Sequence, residues 1–154
     1  FLTDTRGEGI MNTVFCGYEP YKGEITTRLT GSLVASETGE TTSYGLYYAQ
    51  DRGPMFVGPS TEVYEGMIVG ENPKPGDISV NVCRKKHLTA IRSTGADEKL
   101  TLITPRQLSL EEAIEFICAD EQIEITPKAV RLRKQILDTA SRLKAQAALR
   151  AASR

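Results

Sequence analysis

The sequence predicts an α+β fold, and three observations carry that prediction. Short apolar stretches separated by Gly, Pro and Asn dominate residues 26–137. One of them, Ile78-Ser-Val-Asn-Val-Cys83, alternates strictly and so has the period of a half-buried strand. A Ser109-Leu-Glu-Glu112 sequence then has the form of a capping box opening a helix. The expected architecture is a β-rich domain over residues 26–137 with one short amphipathic helix, followed by a basic helical tail over 138–154. The residues before the Pro- and Gly-rich stretch 18–23 are expected to belong to an incoming, truncated domain that contributes one strand.

The chain has 154 residues, 40% of them hydrophobic and 25% charged, which is enough apolar material for a real core and excludes general disorder. Its net charge of -1 hides an asymmetry: residues 128–154 set eight Lys and Arg against the single Asp138, so the preceding body is acidic. That pattern points the tail, more than the body, toward a polyanion. Cys16, Cys83 and Cys118 form no C-x-x-C pair, which supports neither a disulfide framework nor a zinc site and fits a reducing compartment. No apolar run approaches the ~20 residues a membrane helix needs, and the chain opens on Phe1-Leu-Thr-Asp4 like a piece of something longer.

In chain order, Ile10–Phe15 reads as a strand, and the Pro- and Gly-punctuated stretch 18–23 as a crossing between units. Gly31–Ala35 reads as a strand paired in a hairpin with the Thr- and Tyr-rich Thr42–Ala49. Glu62–Val69 reads as a further strand, Asn72–Asp77 as a loop, and Leu100–Ile103 as a strand beyond the basic stretch. After Ser109, Leu110, Ala113, Ile114 and Ile117 share one helical face, leaving Glu111, Glu112 and Glu115 to solvent. Ile123–Ile125 and Val130–Arg133 alternate about Pro127-Lys128 as a hairpin, and Asp138 can cap a solvated helix rich in Ala, Arg and Lys.

The candidate functional stretch runs from Cys83 to Glu98. Arg84, Lys85 and Lys86 precede the only histidine, His87, and Thr89 and Arg92 follow before a Ser-Thr-Gly turn. Cations neutralise phosphates while hydroxyls and backbone N–H groups donate hydrogen bonds, so this composition suits a nucleic-acid backbone. A solvated basic loop without a partner satisfies the same residues. Chemistry of other kinds finds little support: no G-x-x-x-x-G-K-[ST] phosphate loop occurs, and a Cys83–His87 nucleophile pair lacks a third group.

Several blocks, in order, resemble the C-terminal portion of the TypA/BipA translational GTPases. They are Thr5-Arg-Gly-Glu-Gly-Ile-Met-Asn12, Pro20-Tyr-Lys-Gly-Glu24, Gln50-Asp-Arg-Gly53, Glu62-Val-Tyr-Glu-Gly66, Asp77-Ile-Ser-Val-Asn81 with Lys85-Lys-His-Leu-Thr89, and Glu124-Ile-Thr-Pro127 with Arg131-Leu-Arg-Lys134. The alanine-rich stretch from Asp138 lies outside the resemblance. It implies that residues 1–25 end a domain similar to one of elongation factor G and that 26–137 form the family-specific C-terminal domain. It also implies ribosome binding in the A site, with rRNA and the tRNA acceptor end contacted by Arg84, Lys85, Lys86, His87, Thr89 and Arg92. The parent would use GTP and Mg, with no cofactor or catalytic site in these 154 residues. A monomer without membrane association is expected, in bacterial cytoplasm or a plastid. The rival expectation is a regulatory module that docks, through its acidic body, on the parent's other domains.

Overall fold

A computed structural model describes residues 1, 4–21, 23, 28–86 and 100–152. The elements are β1 (Gly31–Ala35), β2 (Gly39–Glu40), α1 (Ser43–Ala49) with a 3-10 turn at Gln50–Arg52, β3 (Glu62–Val63), β4 (Met67–Asn72), β5 (Ile78–Val80), α2 (Leu110–Phe116), β6 (Glu121–Ile125), β7 (Val130–Lys134) and α3 (Thr139–Ala152). A five-stranded sheet has the order β5-β1-β4-β7-β6, with β1 and β5 parallel and the other pairs antiparallel; β2 and β3 form a separate ribbon. The fold is thus mixed α and β, mainly sheet, with three helices among the described residues.

The sheet carries a core on each face. On one, Leu33, Ala35, Met67 and Val69 pack with Leu46 and Ala49 of α1 and with Val57, Val63 and Val82. On the other, Ile68 and Leu132 pack with Ala113 and Phe116 of α2. Strand β1 is buried along its whole length and contributes Leu33 and Ala35 to the first core, and its pairing with β4 shifts register between Leu33 and Val34.

Several expectations are borne out. The capping box is present: Glu112 N–H donates to Ser109 Oγ at 3.2 Å, and Ser109 N–H to the Glu112 carboxylate at 2.9 Å. β6 and β7 form the hairpin, and Ser141 N–H donates to Asp138 at 2.7 Å to cap α3. That helix is more than a solvated tail, because Arg142 is buried and donates to the carbonyls of Ile136 and Leu137, while Glu65 accepts from Thr139.

Other expectations are corrected. The stretch expected to pair with Gly31–Ala35 is instead helix α1 (Ser43–Ala49), so a third helix joins the two expected. Thr42 caps it by accepting from Gly45 N–H at 2.9 Å, and Leu46 and Ala49, three residues apart, both reach the core. Glu62–Val69 is two strands, because Gly66 turns the chain at φ +86 and any Cβ there would lie 2.6 Å from Leu137 Cα. Strand β5 stops at Val80, since Asn81 Oδ1 accepts from Cys83 N–H at 3.1 Å and starts a turn. Leu100–Ile103 is no strand; the Gln50 side-chain amide donates to Thr101 O and accepts from Ile103 N–H, both at 3.0 Å, in place of a ladder. Helix α2 buries Ala113 and Phe116 rather than Leu110 and Ile114, which stay exposed. Ile10–Phe15 forms no strand: a strand requires a backbone partner ladder, these residues have none among the described residues, and Ile10, Val14 and Phe15 are exposed.

Candidate RNA interface

The chain reaches the basic stretch through a rigid corner. Val80 O accepts from Ser36 N–H at 3.0 Å, Val82 O accepts from Thr42 N–H at 3.0 Å, and Thr42 Oγ1 donates to Arg84 O at 2.5 Å. One threonine therefore caps α1 and fixes residues 82–84 beside it. Close approach is possible because position 45 is glycine: a Cβ there would meet Val82 O at 2.4 Å. Asn81 completes the corner, donating to the Glu37 carboxylate at 2.8 Å while accepting from Cys83 N–H.

From this corner Arg84, Lys85 and Lys86 emerge contiguous and exposed. His87, Thr89 and Arg92 lie outside the described residues. The Arg84 guanidinium stands 5.7 Å from the centre of the Tyr44 ring, a cation–π contact that holds the first cation against α1. Cys83 is unsuited to nucleophilic work. Partial burial and then the nearby Glu37 charge push its thiol above the ordinary cysteine value, opposite to the depressed value a thiolate nucleophile needs.

Sequence reasoning missed the aromatic side of this site. Tyr44, Tyr47 and Tyr48 cluster edge to face, with ring centres 4.9 Å apart for Tyr44–Tyr48 and 5.4 Å for Tyr47–Tyr48. The signal was available: a Thr cap followed by tyrosines at i and i+4 places two rings on one helical face.

Residues 30–139 match the model of the TypA/BipA C-terminal domain. The chain belongs to this family. Among similar proteins, the large ribosomal subunit assembly factor BipA of Synechocystis is 49% identical over 134 residues, covering 87% of this chain and 22% of that protein. The protein of the same description from Bacillus subtilis is 47% identical over 146 residues, covering 94% of this chain and 24% of its own length. The putative elongation factor TypA-like SVR3, chloroplastic, of Arabidopsis thaliana is 50% identical over 133 residues, 86% of this chain and 20% of that protein. The chain thus spans about a fifth to a quarter of the length of these TypA/BipA relatives.

Proposed function

We propose that this chain is the ribosome-binding C-terminal module of a longer translational GTPase, contacting large-subunit rRNA and the acceptor end of A-site tRNA through the basic stretch that begins at Arg84. The observation that carries the reading is the exposed run Arg84-Lys85-Lys86, pinned at its base by Thr42, in a family with bacterial relatives described as large ribosomal subunit assembly factors. In this reading Lys85, Lys86 and Arg92 neutralise phosphates, and Arg84, His87 and Thr89 add stacking or hydrogen bonds. Residues 1–25 end an elongation-factor-G-like domain, in which Ile10, Val14, Phe15, Tyr18 and Tyr21, exposed here, would be packed. The module works as a monomer, in bacterial cytoplasm or, as the chloroplastic relative suggests, in a plastid.

GTP and magnesium belong, on this reading, to the longer protein. The residues present do not fit them: the sequence has no phosphate loop, and among the described residues no three His, Cys, Asp or Glu converge as a metal site.

The test is binding of the chain to large ribosomal subunits across a salt series, with Lys85, Lys86 and Arg92 together replaced by Ala. Affinity should fall without loss of folding, and the log–log salt slope should flatten by roughly one unit at most per lost contact. Unchanged affinity and slope would refute the assignment. Binding indifferent to salt would instead favour docking on the longer protein's own domains.

A further inference from the structure

Helix α1 presents more aromatic surface than its packing uses. Its buried residues are Gly45, Leu46 and Ala49. Tyr44 and Tyr47 are half-buried, and Tyr48 stands 53% exposed although it belongs to a three-ring cluster. An edge-to-face pair joins the edge of one ring to the face of another, and with about half of its surface still exposed Tyr48 keeps room for a further planar group. Beside Tyr48 lies a cavity of about 230 Å³ lined by Arg52, Arg84, Ser79 and Asn81. That is below the roughly 300 Å³ at which drug-sized sites begin and suits a single ring system.

We infer that this face is a stacking site for an unpaired RNA base: the base lies on Tyr48, with Arg84 and Arg52 on the flanking phosphates and Ser79 and Asn81 within the base's reach. The inference rests on the RNA reading above and names the part of the nucleic acid that the α1 face takes. Stacking platforms beside cations are the recurrent means of holding single strands, because every base has a π-face and every linkage a phosphate. Arg84 is suited to both duties, since a guanidinium stacks on a ring and pairs bidentately with phosphate. Among the described residues, Glu37 is engaged by Asn81 beside this face, and Asp51 is exposed on the turn after α1. The Tyr48 hydroxyl is held above the ordinary tyrosine value, chiefly by its hydrogen bond with Tyr44, and so remains a neutral donor at physiological pH. Rigidity completes the argument. Thr42 and the close Gly45–Val82 approach hold α1 against the base of the basic stretch, so a strand whose phosphates follow Lys85 and Lys86 passes beside Tyr48.

The experiment titrates the 154-residue chain with end-labelled single-stranded oligoadenylate and with an abasic oligomer of equal length, over a salt series. Tyr48→Ala should weaken oligoadenylate binding roughly 5- to 150-fold, the usual loss for one stacked base, with the salt slope unchanged. It should leave the abasic oligomer's affinity as it was, and Tyr48→Phe should bind oligoadenylate within about twofold of the unaltered chain, because stacking and not the hydroxyl carries the contact. Equal weakening toward both oligomers, or an unchanged oligoadenylate affinity, overturns the assignment, the latter leaving the tyrosines to a protein surface. If Lys85→Ala/Lys86→Ala lowers affinity and slope while Tyr48→Ala is silent, only the stacking site fails. An unaltered chain that binds neither oligomer nor large subunits removes the RNA reading and the stacking site together.

Discussion

Replacing Glu121 by Ala should be among the most damaging single changes in this domain. Its side chain is fully buried and gathers four donors: Arg28 Nη2 at 3.0 Å, Ser32 Oγ at 2.6 Å, Lys134 Nζ at 2.9 Å and Cys118 N–H at 2.9 Å. Lys134 has other anions, lying 2.6 Å from Asp77 and 2.9 Å from Asp120. Arg28 does not. With its side chain only 8% exposed, it would keep the Ser32 hydroxyl at 3.2 Å and the Phe116 ring, 4.1 Å below its guanidinium carbon. A buried charge stripped of its partner costs about 3–5 kcal/mol, a large share of the ~5–15 kcal/mol that holds a typical domain. Asp120, 55% exposed, is the internal control: Asp120→Ala removes a solvent-screened partner and should cost under about 1 kcal/mol. Urea unfolding of both variants measures the difference in midpoint at a shared slope. Equal losses, or a loss below about 1 kcal/mol for Glu121→Ala, would refute the claim that Arg28 depends on this carboxylate.

The same cluster sets a pH dependence. Burial pushes the Glu121 carboxyl up, but hydrogen bonds from Ser32, Lys134 and the Cys118 amide outweigh it, and the net value lies below the ordinary 4.5. Its contribution to stability is therefore complete above 4.5 and lost as pH falls through the lower folded value. Burial pulls Lys134 down, yet Asp77, Glu121 and Asp120 outweigh that and leave it above 10.5, so its contribution is complete below 10.5 and lost as pH rises through the folded value. Unfolding midpoints should be level with respect to these two groups between those limits, and Glu121→Ala should remove part of the acid limb.

Gly45→Ala should destabilise by about 1–3 kcal/mol, because the 2.4 Å clash with Val82 O outweighs the ~1 kcal/mol of helix propensity gained, and it should also weaken RNA binding; a more stable variant would show that α1 can shift freely. Ser109→Ala should cost about 1 kcal/mol by thermal melting through loss of the cap, with RNA affinity unaltered. Gly66→Ala should be destabilised through both its φ of +86 and the Leu137 backbone at 2.6 Å, measurable as a lower urea midpoint.

The features legible in the sequence are those whose hydrogen bonds close within a few residues. Ser109 with Glu112, Asp138 with Ser141, and the β6–β7 turn at Thr126–Ala129 are each written in adjacent letters, and each is present. The family, and with it the basic run from Arg84, was likewise legible as blocks of side-chain identity. Tertiary structure decided what those letters leave open. Thr42–Ala49 has the β-branched and aromatic content of a strand, but only glycine at position 45 fits against Val82, and Leu46 and Ala49 complete a core begun at Leu33. Leu100–Ile103 carries strand composition and finds a glutamine side chain in place of a neighbouring strand. Arg28, Ser32, Asp77, Glu121 and Lys134 look like scattered surface residues until β1, β6 and β7 assemble and bring Ser32 within 2.6 Å of a carboxylate 89 positions away. Local hydrogen bonding sets where an element starts and stops, whereas which face is covered, and which charge is buried, depends on segments distant in the chain that only the folded sheet makes neighbours.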